Sequence, residues 1–127
     1  MTRKIIYSSD ALEPVGPYNQ AVSDGRFVFN AGQIPLDPDT GQIVEGNFQD
    51  RVEQVFRNLD AVHEAGSTEL FSILKMTVFP TDLPCFSTVN KVFSDQFKGI
   101  EPPARSVVEV TGLPMNADIE IKCIASV

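Results

Sequence analysis

Residues 73–81 read as a strand, and its stretch Ile73 to Phe79 is apolar on both sides: Leu74, Met76 and Val78 fall on one face, Ile73, Thr77 and Phe79 on the other. A strand of this kind asks for cover on both faces. The chain has 127 residues and two segments with helical periodicity, and two helices cover one face of a sheet. The second face would stay wet in a monomer, as a larger apolar patch than soluble monomers usually show. The pattern therefore predicts a homo-oligomer packed through its sheets, unless Lys75 and neighbouring long side chains shield that face.

The other elements follow from changes of period. Lys4 to Ser8 reads as a short strand, and Ala21 to Ala31 as two strands joined at Asp24-Gly25, a dipeptide suited to a tight hairpin. Pro35 to Gly41 is a cluster of turn residues. From Phe48 the period becomes helical, with Val52, Val55, Phe56, Leu59 and Val62 on one stripe, Asn47 placed to cap it and Gly66 to end it. A second amphipathic helix carries Phe86, Val89, Asn90, Phe93 and Phe97 on one side, and Pro102-Pro103 ends it. Arg105 to Thr111 and Asp118 to Ala125 then alternate in the β manner around Gly112-Leu113-Pro114. The order βββαβαββ predicts one α+β domain over residues 1–127.

Composition narrows the function. A formal charge of −7 repels phosphate backbones, so no nucleic-acid partner is expected. One His and two Cys cannot supply a thiolate or thiolate–imidazole zinc site, and no metal site is expected. No apolar run approaches a membrane span, and the N-terminus lacks a secretory h-region or a clear mitochondrial presequence, which points to the cytoplasm. His63 lies on the edge of the first helical stripe and reads as a half-buried structural residue, which disfavours a Ser-His-Asp triad. Cys85 and Cys123 read as packing residues.

Arg105 stands out. Two prolines and a small residue stiffen the approach to a lone guanidinium at the start of a strand. Alternation places Arg105, Val107 and Glu109 opposite Val108 and Val110, hence away from the helices. Glu120 lies opposite Ile119 and Ile121 and projects to the same oligomer-facing side. An Arg can grip a carboxylate bidentately and a Glu can take a proton from water, although spacing alone favours a structural ion pair. If the last two strands form a hairpin about Pro114 and Met115, Glu120 sits opposite about Glu109, some ~13 Å along the strand from Arg105. Either the register differs, the Arg side chain folds back, or a neighbouring subunit contributes.

With these residues on the page, the chain resembles the reactive intermediate deaminase family, the Rid or YjgF type, over nearly its full length. The resemblance rests on Gly16-Pro17-Tyr18-Asn19-Gln20-Ala21, Gly32-Gln33-Ile34-Pro35-Leu36-Asp37-Pro38, the helix from Gln54 to Gly66, Lys75 to Phe79, Phe86 to Asn90, Pro103-Ala104-Arg105-Ser106, and Leu113-Pro114 followed by Ile119-Glu120-Ile121. It implies a chorismate-mutase-like fold, a mixed sheet with two helices on one face, and a homotrimer with a central β-barrel and three clefts between subunits. It further implies cofactor-free hydrolysis of 2-enamine and 2-imine acids, such as 2-aminoacrylate and 2-iminopropionate, to 2-oxo acids and ammonia. Arg105 would clamp the substrate carboxylate and Glu120 would position and deprotonate water, with Tyr18, Gly32, Asn90 and the Val107 backbone lining the cleft. Val107 replaces a Cys, Lys122 a second acidic residue, and Thr111 a smaller one found in many relatives. A trimer that senses a small acid without turnover is the alternative; RNA cleavage or translation inhibition, attached to some members, has little support in an acidic chain with one His.

Overall fold

The computed structural model describes residues 3–127. Its elements are β1 (Lys4–Ile6), β2 (Ala21–Ser23), β3 (Phe27–Asn30), α1 (Phe48–Ala65), β4 (Ile73–Pro80), α2 (Phe86–Gln96), β5 (Ala104–Val107) and β6 (Ile119–Ser126). The expected order βββαβαββ is the observed one. Helix α1 starts at a reciprocal cap: the Asp50 N–H donates to Asn47 Oδ1 at 2.9 Å and the Asn47 N–H to Asp50 Oδ2 at 3.0 Å. At its other end the Gly66 N–H closes on the Val62 and His63 carbonyls.

One six-stranded sheet runs β1-β2-β3-β6-β4-β5. Every pairing is antiparallel except β4 with β5, whose parallel register needs a crossover, and α2 supplies it. Both helices pack on one face. Val52, Val55, Phe56 and Leu59 of α1 and Val89, Phe93 and the following Phe97 meet Met76, Val78, Ile119, Ile121 and Cys123 of the sheet in one buried cluster. Phe56 and Phe93 meet edge-to-face, with centroids 5.1 Å apart at 80°.

Three sequence expectations are corrected. The last two strands do not form a hairpin, because β4 lies between them; their 11-residue connection instead carries the chain across β4, whose partners are Arg105 opposite Met76 on one side and Glu120 opposite Phe79 on the other. Arg105 does not turn away from the helices. Its registered partner Met76 is a core residue, so Arg105 and Val107 face α2, while Val108, just past the end of β5, is exposed. Two adjacent valines, Val107 and Val108, made the alternation readable in either phase. Finally, an irregularity between Ile73 and Lys75 turns Ile73 inward and leaves Leu74 about half exposed. The outer face of the sheet therefore presents Leu74, Lys75, Thr77, Phe79, Lys122 and Phe29, and Lys75 lies across it to donate from Nζ to Ser106 Oγ at 2.7 Å. It is more polar than the sequence suggests, and among the described residues both helices lie on the other face.

Candidate active site in two halves

The cationic half stands at the sheet edge against α2. The Arg105 Nη2 donates to Asn90 Oδ1 at 2.7 Å, and its Cζ lies 4.7 Å from the ring centre of Phe93 and 5.3 Å from that of Phe86. Arg105, Asn90 and Phe93, with Ser94, Phe97, Pro102 and Pro103, line an open recess of about 630 Å³. Burial draws the guanidinium somewhat below its ordinary pKa, a direction that leaves it charged, because arginine starts so high. Four of its five N–H groups remain for another acceptor. Since β5 is the edge strand and the Val108 and Val110 N–H groups bond back to Val78 and Pro80, period two directs the Val107 N–H off the open edge. Arginine and a free amide are thus offered side by side, and the Val107 side chain packs inward on the core.

The acidic half lies on the opposite face of the sheet. Glu120 belongs to the outward set of β6, between buried Ile119 and Ile121, and its carboxyl rests against the Gly32 backbone. A Cβ at Gly32 would sit 2.7 Å from the Glu120 carboxyl carbon, so only glycine permits this approach. Tyr18 and Gly32 line the same recess of about 230 Å³, whose other walls include Leu12, Val15, Ile34, Leu36 and Met115. Burial pushes the Glu120 carboxyl above its ordinary range, with Lys122 pulling the other way.

Buried polar groups hold these walls. Gln20 accepts from the Ser8 N–H at 2.7 Å and donates to the carbonyls of Ser8 and Leu12 at 3.0 and 2.9 Å. Asn58 of α1 donates to the carbonyls of Leu36 at 2.9 Å and Ile34 at 3.3 Å. At the entry to β6, Arg51 grips Asp118 with both Nε and Nη2.

The site residues expected from sequence therefore fall into two groups. Arg105, Asn90 and Val107 come together, and so do Glu120, Tyr18 and Gly32, but the groups do not meet within one chain. Arg105 and Glu120 register three residues apart along β4 with that strand between them, a Cα separation of about 14 Å with side chains on opposite faces. A structural ion pair between them is ruled out; among the described residues the ion pair is Arg51–Asp118. Sequence reasoning missed Gln20, Asn58 and Met115. Buried amides bonded to distant carbonyls have no local signature, and Met115 is set apart by a positive φ of 56° after Pro114.

His63 is more deeply buried than expected. Its Nδ1 meets Thr68 Oγ1 at 2.8 Å, and that hydroxyl donates to the His63 carbonyl, so Nδ1 carries the proton; Nε2 then accepts from the Cys123 thiol at 2.9 Å. Burial pulls the imidazole down to about 4 and pushes the thiol up to about 12. Both are neutral and out of reach. Among the described residues no group of three His, Cys, Asp or Glu is arranged to hold a metal, and no helix is long and apolar enough to cross a membrane.

A family model described as Endoribonuclease L-PSP matches residues 8–127. The chain is 36% identical over 124 residues to Reactive Intermediate Deaminase A, chloroplastic, of Arabidopsis thaliana, covering 98% of this chain and 66% of that one. Among solved structures it superposes on YyfA, a Rid-family protein of unknown function from Yersinia pestis, with a TM-score of 0.96 at 40% identity, covering 99% and 100% of the two chains. TdcF of E. coli, solved with bound serine, superposes with a TM-score of 0.93 at 40% identity, covering 98% of each.

Proposed function

The chain belongs to the Endoribonuclease L-PSP family, the Rid or YjgF group, and from that premise we propose that it hydrolyses 2-imino acids and their enamine tautomers at a cleft completed by a second copy of itself. The observation that carries this reading is the division of the site. An anion fork with unused donors stands at an open sheet edge, and a carboxyl with raised proton affinity stands in an apolar-walled recess on the other face. Each half lacks what the other holds, and a homotrimer closed through the uncovered face joins them three times.

In such a cleft Arg105 and the Val107 N–H bind the substrate carboxylate and fix the C2 carbon toward Glu120. Water held by the Glu120 carboxylate attacks C2, its O–H proton passes to Glu120, and the imine C=N electron pair moves to nitrogen. Glu120 passes that proton to nitrogen, giving the carbinolamine R–C(OH)(NH2)–COO⁻; it then takes the remaining hydroxyl proton and delivers it to nitrogen as the C–N bond breaks and C=O forms, so R–C(=NH)–COO⁻ and water give R–C(=O)–COO⁻ and ammonia. The raised pKa of Glu120 suits a group that must both take and return a proton near neutrality. Because an imine carbon is already electrophilic, orientation supplies most of what the reaction requires. Relatives named as deaminase and solved with a small amino acid agree with this substrate size. RNA cleavage, suggested by the family's description, finds no support in the buried neutral His63 or in the net charge of −7.

The test generates 2-iminopropanoate in situ and follows its decay. Wild type should accelerate decay, and Arg105→Ala and Glu120→Ala should each lose about 10²-fold or more. Coexpressing the two variants should restore about a quarter of the wild-type rate, since one seam in four then joins an intact Arg105 half to an intact Glu120 half. No acceleration by the wild type overturns the deaminase reading. A coexpressed mixture as inactive as its components overturns the shared cleft.

A further inference from the structure

Phe86, Asn90 and Phe93 stand at positions i, i+4 and i+7 of α2 and so form one stripe along the helix. Seven residues of α-helix rise about 10.5 Å, and the Arg105 Cζ reaches both ends of the stripe, 5.3 Å from the Phe86 ring centre and 4.7 Å from that of Phe93. The guanidinium is thus within reach of both rings at once, and Asn90, midway along the stripe, accepts from Nη2 at 2.7 Å. Each ring lies within the distance at which an aromatic quadrupole attracts a cation.

A lone arginine at an edge strand would ordinarily extend its head into water and sample many rotamers. Here the head meets Phe86, Asn90 and Phe93 of α2 and is partly buried, while four of its N–H groups stay available. Two rings and the single Asn90 acceptor engage the head while the remaining N–H donors stay free, and a planar fork of such donors is what a carboxylate meets bidentately. Phe93 is 7% exposed and belongs to the core, so it cannot move far; Phe86 is 40% exposed at the start of the helix and is the adjustable member.

We propose that the Phe86–Asn90–Phe93 stripe is a cation cradle, in which the two rings are positioning residues whose π-electrons hold the Arg105 fork ready for a carboxylate. This inference rests on Arg105 being the carboxylate clamp of the proposed function. It assigns to α2 a task separate from packing: setting how much order the fork loses or keeps before ligand arrives, and hence the affinity for the anion rather than the rate of water attack.

The experiment keeps the shape of the side chain and changes its electrons. Phenylalanines carrying one, two and three ring fluorines replace Phe86 in the full-length protein, alongside Phe86→Leu and Phe86→Tyr, with oligomeric mass and circular dichroism confirming unchanged folding. Pyruvate, a stable carboxylate, is the binding probe, and the Arg105 guanidinium is observed directly by ¹⁵N NMR in the free protein. With each added fluorine, rotation about Nε–Cζ should speed up and pyruvate binding should weaken, by about fivefold over the series. Phe86→Leu should behave like the most fluorinated ring and Phe86→Tyr like wild type. In imine hydrolysis KM should rise across the series while kcat stays within twofold. Binding that is flat or tighter along the series, a guanidinium already rotating freely in wild type, or no pyruvate binding by the wild type overturns the cradle. If the wild type turns over no imine but the NMR and binding trends hold, the deaminase reading falls and the cradle stands; turnover with a flat series does the reverse.

Discussion

Strand β6 carries Glu120 and Cys123 three residues apart, and the two faces of the strand give them opposite fates. Cys123 faces the helices, where its thiol meets His63 in a setting so dry that both groups are held neutral. Glu120 faces outward into a recess, with Gly32 stripped of a side chain to let its carboxyl in. By residue type alone the Cys–His pair is the more reactive constellation, since a thiolate beside an imidazolium is a strong nucleophile. Access reverses that ranking. The sealed pair packs into the fold, and the half-buried carboxyl is the one a ligand can reach, as the proposed function requires.

Acid should break this contrast on the inner face first. His63 titrates at about 4 in the folded protein against 6.5 for an unburied imidazole, so as pH falls below 6.5 the unfolded chain takes up a proton that the folded one refuses. Stability present above pH 6.5 is lost progressively down to pH 4, by about 3 kcal/mol in all. Urea unfolding of wild type and His63→Gln at several pH values isolates this contribution from the carboxylates, because the difference between the two curves belongs to His63. Parallel curves between pH 6.5 and 4 would show that the imidazole is not held neutral.

The outer face should break at Gly32. Alanine there demands that the flexible Glu120 carboxyl yield, by about 1 Å to regain ordinary contact. The fold should tolerate this, but displacement of a positioned group on that scale costs about 10²-fold in rate. Gly32→Ala is therefore expected to lose imine hydrolysis while its unfolding midpoint stays close to wild type. A variant with normal kcat would show that the Gly32–Glu120 contact is not part of the machinery.

The two faces also differ in how much of them can be read from residues alone. The helix stripes, the Asn47 cap and the α2 series Phe86–Asn90–Phe93 are written in a period of 3.6 and stand where that period puts them. The recess around Glu120 is different, because its walls are loops held by Gln20 and Asn58 through carbonyls 8 to 24 positions away. No local pattern encodes such bonds. The face of Arg105 was unreadable for another reason: Val107 and Val108 satisfy alternation in both phases, and only pairing with Met76 across a parallel register decides between them. Likewise the assumption that neighbouring strands in sequence are neighbours in space fails at β5 and β6, since the helix crossover delivers β5 beyond β4 and leaves the gap beside β4 for the last strand. The resemblance to known motifs named residues that fall into two groups in the structure, without saying how they are placed; placement required the register.

The smallest expected effect is also the one that separates function from fold most cleanly. In the folded chain the Glu120 carboxyl holds its proton more firmly than an unburied glutamate, because burial disfavours the charge more than Lys122 relieves it. At pH 7 its ionised form is thus a mild burden on stability, one that eases as pH falls through the raised folded pKa and is gone below the unfolded value near 4.5. Glu120→Gln removes the charge and keeps the shape. Because Glu120 is only half-buried, solvent screening keeps the gain to a few tenths of a kcal/mol, under about 1 kcal/mol. Thermal or urea unfolding should accordingly place this variant level with wild type or slightly above it at pH 7, with the difference closing at pH 4, while imine hydrolysis is lost. A loss of stability beyond about 1 kcal/mol would make Glu120 a structural residue like Cys123, and the two faces of β6 would no longer divide fold from function.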